Sequence, residues 1–192
     1  MKIILTDCDG VLLDWEAAYH GWMEQHGYTI INPGVYEMDV AYGISKAESK
    51  RLVKVFNESA WMGFLPALRD ARSGVARLVE HGYRFVCITS LSLDEKAKML
   101  RVSNLKNIFG RDVFVDVVCL DTGADKDDAL APYQDSDYFW IEDKWHNAVV
   151  GADLGLRSIL VDHEHNQQYS DARIARAKTW SEIADLIIGA EA

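Results

Sequence analysis

Hydrophobic positions in this chain fall into two kinds of run. Short continuous apolar stretches, rich in β-branched and aromatic residues, alternate with longer stretches in which apolar residues recur every three or four positions. The first kind suits strands buried on both faces, and the second suits helices with one buried stripe. The runs at 2–6, 83–89, 113–119, 138–141 and 157–161 read as strands. Asp14 opens a helix over 15–23 that carries Trp15, Tyr19, Trp22 and Met23 on one face and stops at Gly27. Ser45 opens another over 46–57, with Leu52, Val55 and Phe56 inward. Asp70 starts a third, with Val75, Leu78 and Val79 inward, closed by Gly82. Further helices are expected over 94–102, after the polar loop 121–128, through 147–150, and over 182–188 behind Ser181. Between them, 28–43 is mixed around the turn Asn32-Pro33-Gly34, and Trp61 to Pro66 is an aromatic break.

From residue 70 onward strands and helices alternate, which predicts an α/β fold with a doubly wound parallel sheet. The stretch between the first two strands is helical. The chain therefore divides into a core, 1–13 and 70–192, and a small helical cap, 14–69, placed after strand 1. An insertion there lies over the carboxyl ends of the strands, where a lid would sit.

Composition narrows the function classes. The chain has 192 residues, 49% of them hydrophobic and 26% charged, with a net charge of −10. It has no basic run, which argues against a nucleic-acid polymer as partner. A small phosphorylated metabolite stays open, since a metal and one or two local cations suffice to hold it. Cys8, Cys87 and Cys119 lie in or beside apolar runs without Cys-x-x-Cys spacing. Free thiols in a reducing compartment are expected, hence a cytoplasmic location, with Cys8 a small filler rather than a nucleophile. No apolar segment is long enough for a bilayer and no signal stretch is visible, so no membrane partner is expected. Oligomeric state is not readable.

Chemistry concentrates at strand ends. The first run stops in Asp7-Cys8-Asp9-Gly10. Two carboxylates this close on a strand tip are costly without a positive partner, and a hard divalent cation is the natural one. A plain polar turn accounts for the same four residues. Thr89-Ser90 and Glu142-Asp143 end two other strands, and Lys126 lies in a loop of the same series. Parallel strands open their carboxyl ends on one side. Carboxylates, a hydroxyl and a lysine around one point describe a phosphoryl-transfer site. His163 and His165, alternating with Asp162 and Glu164, have ligand-like spacing. They follow the outer fifth strand and read as a solvated loop.

These motifs, in this order, resemble those of the haloacid dehalogenase superfamily of phosphatases: Asp7-Cys8-Asp9-Gly10-Val11, then Val86-Cys87-Ile88-Thr89, then Lys126, then Trp140-Ile141-Glu142-Asp143. Lys98 is a rival for the third, but sits in a helix. The resemblance implies Asp7 as nucleophile and Asp9 as general acid and base, with a pKa nearer the working pH than that of a free aspartate. It implies Mg²⁺ held by Asp7, the Asp9 main-chain carbonyl and Asp143, with Glu142 supporting. Thr89, Ser90 and Lys126 would bind the phosphoryl group, and the N–H groups of Cys8 to Gly10 would form an anion nest. Many members carry another aspartate where this chain has Asn147. The resemblance extends to 5'(3')-deoxyribonucleotidases through Trp15, the Trp61–Pro66 stretch and Asp125-Lys126. That implies a nucleoside monophosphate stacked on Trp15, although cap packing explains the same rings. A phosphatase or phosphomutase of sugar phosphates, and a non-catalytic phospho-ligand binder on the same core, stand as alternatives.

Overall fold

Each of the five apolar runs becomes a strand: β1 (Lys2–Thr6), β2 (Tyr83–Thr89), β3 (Phe114–Cys119), β4 (Phe139–Glu142) and β5 (Arg157–Val161). In this computed structural model, which describes residues 2–190, a sixth strand, β6 (Ala175–Ala177), joins them. Its three residues, Ala-Arg-Ala, carry no apolar run, so nothing in the pattern announces it. All pairings are parallel and the order is β3-β2-β1-β4-β5-β6. The winding reverses between β1 and β4, and in such sheets the crevice for ligands opens at that point.

Side chains alternate across the sheet. Ile4, Phe85, Cys87, Ile141 and Ile159 enter one hydrophobic cluster, while Leu5, Val86, Ile88 and Trp140 enter the other. Both faces are therefore buried, as a parallel sheet requires. The covering helices are α4 (Ala71–Glu80), α5 (Glu95–Phe109), α6 (Asp127–Leu130), α7 (Trp145–Asp153) and α8 (Trp180–Gly189). Among the described residues no helix is long and apolar enough to cross a membrane.

The insertion between β1 and β2 holds α1 (Trp15–Gln25), α2 (Met38–Tyr42) and α3 (Lys46–Asn57). Asp14 caps α1, accepting from the Ala17 N–H at 3.1 Å, and Ser45 caps α3, accepting from Glu48 at 3.2 Å. The insertion leaves and rejoins the sheet side by side. Asp14 N–H donates to Pro66 O (3.0 Å) and Leu68 N–H to Leu12 O (2.9 Å).

Several elements differ from the sequence reading. Helix α2 forms inside the region read as mixed, because Gly43 in the left-handed region closes one short turn. Helix α5 runs on to Phe109 rather than stopping near 102. Thr179, not Ser181, caps α8. Asp70 does not cap its own helix; its carboxylate accepts from the Trp180 (3.0 Å) and Ser181 (2.9 Å) N–H groups and so ties α4 to α8.

The α4–α8 contact depends on Gly74. A Cβ there would lie 2.5 Å from Trp180 Cβ and 2.9 Å from its carbonyl oxygen. Alanine is the better helix former by about 1 kcal/mol, but overpacking costs about 1–3 kcal/mol. Gly74→Ala is expected to lower the urea midpoint. A midpoint that stays or rises would show that the two helices separate cheaply.

Candidate active site

Asp7 extends β1 by one residue. Its N–H donates to Ile141 O at 2.8 Å, which continues the β1–β4 ladder into the crevice. After it the chain folds into a tight turn. Cys8 O accepts from Leu12 (2.8 Å) and Leu13 (2.9 Å), and Trp180 Nε1 holds Val11 O at 2.8 Å. Gly10 has φ +73°, and a Cβ there would lie 2.4 Å from Asp143 Oδ2. The glycine lets the loop after β1 touch the acid after β4.

Lys126 is 2% exposed. Its Nζ lies 2.7 Å from Asp7 Oδ2 and 2.8 Å from Glu142 Oε2. The connection that carries it leaves β3 and must pass over β2 and β1 to reach β4, which brings the side chain across the β1 tip. Glu142 uses both oxygens inside the protein: Oε1 accepts from the Asp143 (3.1 Å) and Lys144 (3.0 Å) N–H groups. Carboxylate oxygens of Asp7, Glu142 and Asp143 all lie within 4.8 Å of one another.

One buried ammonium thus faces three buried carboxylates. Burial, then the charge of Glu142, pushes Asp7 up to about 8. Burial, then Asp7, pushes Asp143 up to about 7, and Glu142 is raised chiefly by burial. Burial works against the charge on Lys126, but Asp7 and Glu142 outweigh it and hold the ammonium above its usual range. The negative charge is under-compensated, and the donors are all oxygen, which suits a hard cation such as Mg²⁺. Asn147, a helical turn beyond Asp143, presents a buried Oδ1 with no hydrogen-bond partner. The residues therefore fit a metal, although Glu142 is committed to Lys126 and main-chain donors.

The other expected residues fall as follows. Thr89 Oγ1 is buried and without a partner, available to an oxyanion. Ser90 Oγ instead donates to Ala124 O at 2.8 Å and braces the loop that carries Lys126. The anion nest is reduced, because Cys8 N–H goes to Asp7 Oδ1 (2.7 Å) and Gly10 N–H to Leu13 O (2.9 Å). Trp15 stacks on Tyr19 with centroids 4.7 Å apart and planes at 9°, and its Nε1 donates to Asn57 Oδ1 at 2.9 Å. Asp9, a quarter exposed, faces away from this cluster into Arg101. The guanidinium grips it at 2.6 Å (Nη1–Oδ1) and 3.2 Å (Nη2–Oδ2).

Arg101 is fully buried and was not singled out from the sequence. The signal was its spacing with the buried Ala97 and Leu105 on α5, an arginine standing in an apolar stripe. The solvated-loop reading of His163 and His165 is corrected. β5 lies directly beside β4, so the loop after it reaches the crevice. His163 Nε2 meets Gly10 O at 2.7 Å, and His165 Nε2 lies 3.2 Å from Asp143 O. Burial holds both imidazoles below their ordinary pKa. Tyr36, from the insertion, packs on His165 with centroids 4.4 Å apart.

A pH dependence follows. Between about 4 and about 8 the folded protein holds protons on Asp7 and Asp143 that the unfolded chain has released. Without metal, stability therefore falls as pH rises through that window. In chelator, Tm is expected to drop from pH 5 to pH 8. Mg²⁺ should restore it at pH 8 and do little at pH 5. Asp143→Asn should flatten both responses; the same slope in that variant would remove the acid cluster as its cause.

No family model matches the chain. An uncharacterised 32.4 kDa protein of Enterobacteria phage T4, from the Gp30-rIII intergenic region, is 27% identical over 119 residues. That match covers 55% of this chain and 40% of the phage protein, so the chain spans well under half of that relative. A haloacid dehalogenase-like hydrolase from Streptococcus pneumoniae superposes with a TM-score of 0.68 at 14% identity, over 97% of this chain and 98% of that one. A D,D-heptose 1,7-bisphosphate phosphatase from B. bronchiseptica, complexed with magnesium and phosphate, superposes with a TM-score of 0.62 at 15% identity over the full length of both. The six-stranded parallel sheet with helices on both sides is the Rossmann-like fold of haloacid dehalogenase-like hydrolases.

Proposed function

We propose that this chain is a Mg²⁺-dependent phosphomonoester hydrolase that works through an aspartyl-phosphate on Asp7. The observation that carries the reading is the convergence of Asp7, Lys126 and Asp143 at the β1/β4 crevice, with the unpartnered Thr89 hydroxyl at the neighbouring strand end. Mg²⁺ on Asp7, Asp143 and the Asp9 main-chain carbonyl, with Asn147 beside them, would neutralise phosphoryl charge that Lys126 alone does not balance.

In the first half-reaction an Asp7 oxygen attacks phosphorus, the P–O bond to the alcohol breaks, and Asp9 gives its proton to the departing oxygen. In the second, Asp9 takes a proton from water, the hydroxide attacks phosphorus, and the Asp7–phosphorus bond breaks to release inorganic phosphate. Lys126 and Thr89 hold the phosphoryl oxygens through both. For its part Asp9 must leave the Arg101 clasp and turn toward the leaving oxygen. In this reading 14–69 is the cap over a core of 1–13 and 70–192, and Tyr36 is its reach into the site. Trp15 is held by Tyr19 and Asn57 inside that cap, so the proposal stops at phosphomonoesters and does not extend to nucleotides.

The test is phosphate release from a broad panel of monoesters. Release is expected with Mg²⁺ and should stop with chelator. Asp7→Asn should lower turnover by more than about 10³-fold while the variant still folds and melts cooperatively. Thr89→Val should lower it by about 10–10²-fold. No release from any ester by the metal-loaded protein would leave a phospho-ligand binder as the better reading; transfer without net release would indicate a mutase.

A further inference from the structure

A cleft of about 490 Å³ opens beside the acid cluster, between the insertion and the loop after β5. Its wall toward the reaction centre is the ring stack Tyr36–His165–His163; the two histidines lie 5.4 Å apart with planes at 12°. Arg69 and Lys178 line the same cleft. Arg69 is set in place rather than loose. It stands where the insertion rejoins the core, at φ 36°, a left-handed backbone that a non-glycine residue rarely keeps without cause. Its guanidinium donates to the main-chain oxygens of Lys178 (Nη1, 2.5 Å) and Asp162 (Nη2, 3.4 Å). Nη2 also lies 3.4 Å from His163 Nδ1. A guanidinium has only donors, so Nδ1 accepts, and the proton on Nε2 goes to Gly10 O. A single imidazole thus joins Arg69 to the loop that bears Asp7 and Asp9.

No carboxylate pairs with either cation among the described residues. Asp162, which precedes His163, is taken by Arg176 at 2.6 Å. Glu16 and Glu164 line the same cleft and carry the opposite sign. The cleft is therefore no general anion trap. It offers fixed donors at one end and acceptors along its sides. Two cations without counter-ions suit an anionic group, and glutamates suit hydroxyls.

We propose that this cleft is the leaving-group subsite and selects a polyhydroxylated phosphomonoester with a second anionic group, a carboxylate or a second phosphate, held by Arg69 and Lys178. The proposal rests on the phosphatase reading and deepens it. Tyr36 closes the subsite from the insertion. Its ring is half exposed, while its hydroxyl feels the charges of Asp143, Glu142 and Asp7 and has no hydrogen-bond partner among the described residues.

The test uses matched pairs that differ in the second group only: 6-phosphogluconate against sorbitol 6-phosphate, and fructose 1,6-bisphosphate against fructose 6-phosphate. The anionic member of at least one pair is expected to show a kcat/KM about 10–10²-fold higher, a size that fits one charge-assisted contact. The pair that shows it identifies carboxylate or phosphate as the group recognised. Arg69→Gln should collapse that ratio, chiefly through KM, and Arg69→Lys should retain part of it. Ratios near one in wild type, or the wild-type ratio in Arg69→Gln, would overturn the subsite. Calorimetric binding of the same pairs to Asp7→Asn separates the two readings. A binding preference that Arg69→Gln removes upholds the cleft even where wild type hydrolyses nothing. Equal binding of both members rejects the cleft even where wild type is a phosphatase.

Discussion

The structure turns on a charge imbalance in its interior. Lys126 stands between Asp7 and Glu142, and Asp143 adds a third carboxylate within reach of both. Removing a charge from water costs several kcal/mol, and a contact of opposite sign repays it only with good geometry. The ammonium contacts achieve that geometry for two acids and leave the third without a cation of its own. Burial first, and then the neighbouring acids, raise both Asp7 and Asp143. A protein under no functional constraint would relieve the surplus of acid by exchanging one carboxylate for an amide. In the proposed function, a divalent ion and a phosphoryl group answer that surplus.

Holding such a cluster requires a scaffold that does not relax. The carboxyl ends of β1 and β4 are adjacent at the point where the winding reverses, and Asp7 extends their shared ladder. The loop after β1 is fastened by its own turn bonds and by Trp180 from the last helix, whose position depends in turn on Asp70 and Gly74. Gly10 shows how little room is left, since one methyl group would collide with Asp143. The acids cannot drift apart to ease their repulsion, and that rigidity keeps the site preorganised.

How much of this was legible depended on where each residue sits. Asp7, Thr89, Glu142 and Asp143 were readable because parallel strands deliver their carboxyl ends to one rim, so a polar residue closing an apolar run declares its place, whereas Lys126 lies in a loop and was found through its place in the motif order. Arg101 was hidden because a buried arginine breaks the rule that locates helix faces. His163, His165 and Tyr36 were hidden for a different reason. Their place depends on β5 lying next to β4 and on the course of a loop across the crevice, neither of which follows from local spacing. Trp15 shows the converse: it was visible as an aromatic after the first motif, but Tyr19 and Asn57 determine what its indole does.

Arg101 matters most for the two aspartates of the opening motif, which are identical in type and one residue apart. Asp7 shares Lys126 with Glu142 in a buried cluster, while Asp9 is partly exposed and grips the guanidinium of Arg101. Environments that differ this much assign different roles to the same side chain. The carboxylate in the cluster, held by Lys126, is the one the proposed mechanism uses for attack. The one on Arg101 is kept apart, so the two like charges do not compete for Lys126. Met62 also touches the same guanidinium, 3.3 Å from Nη2, and Met62 lies in the chain segment that returns from the insertion. The aspartate that handles the proton in the proposed mechanism is therefore connected through one arginine to the segment that returns from the insertion. In the proposed mechanism, a change at Met62 would reach Asp9 through Arg101 before it reached Asp7.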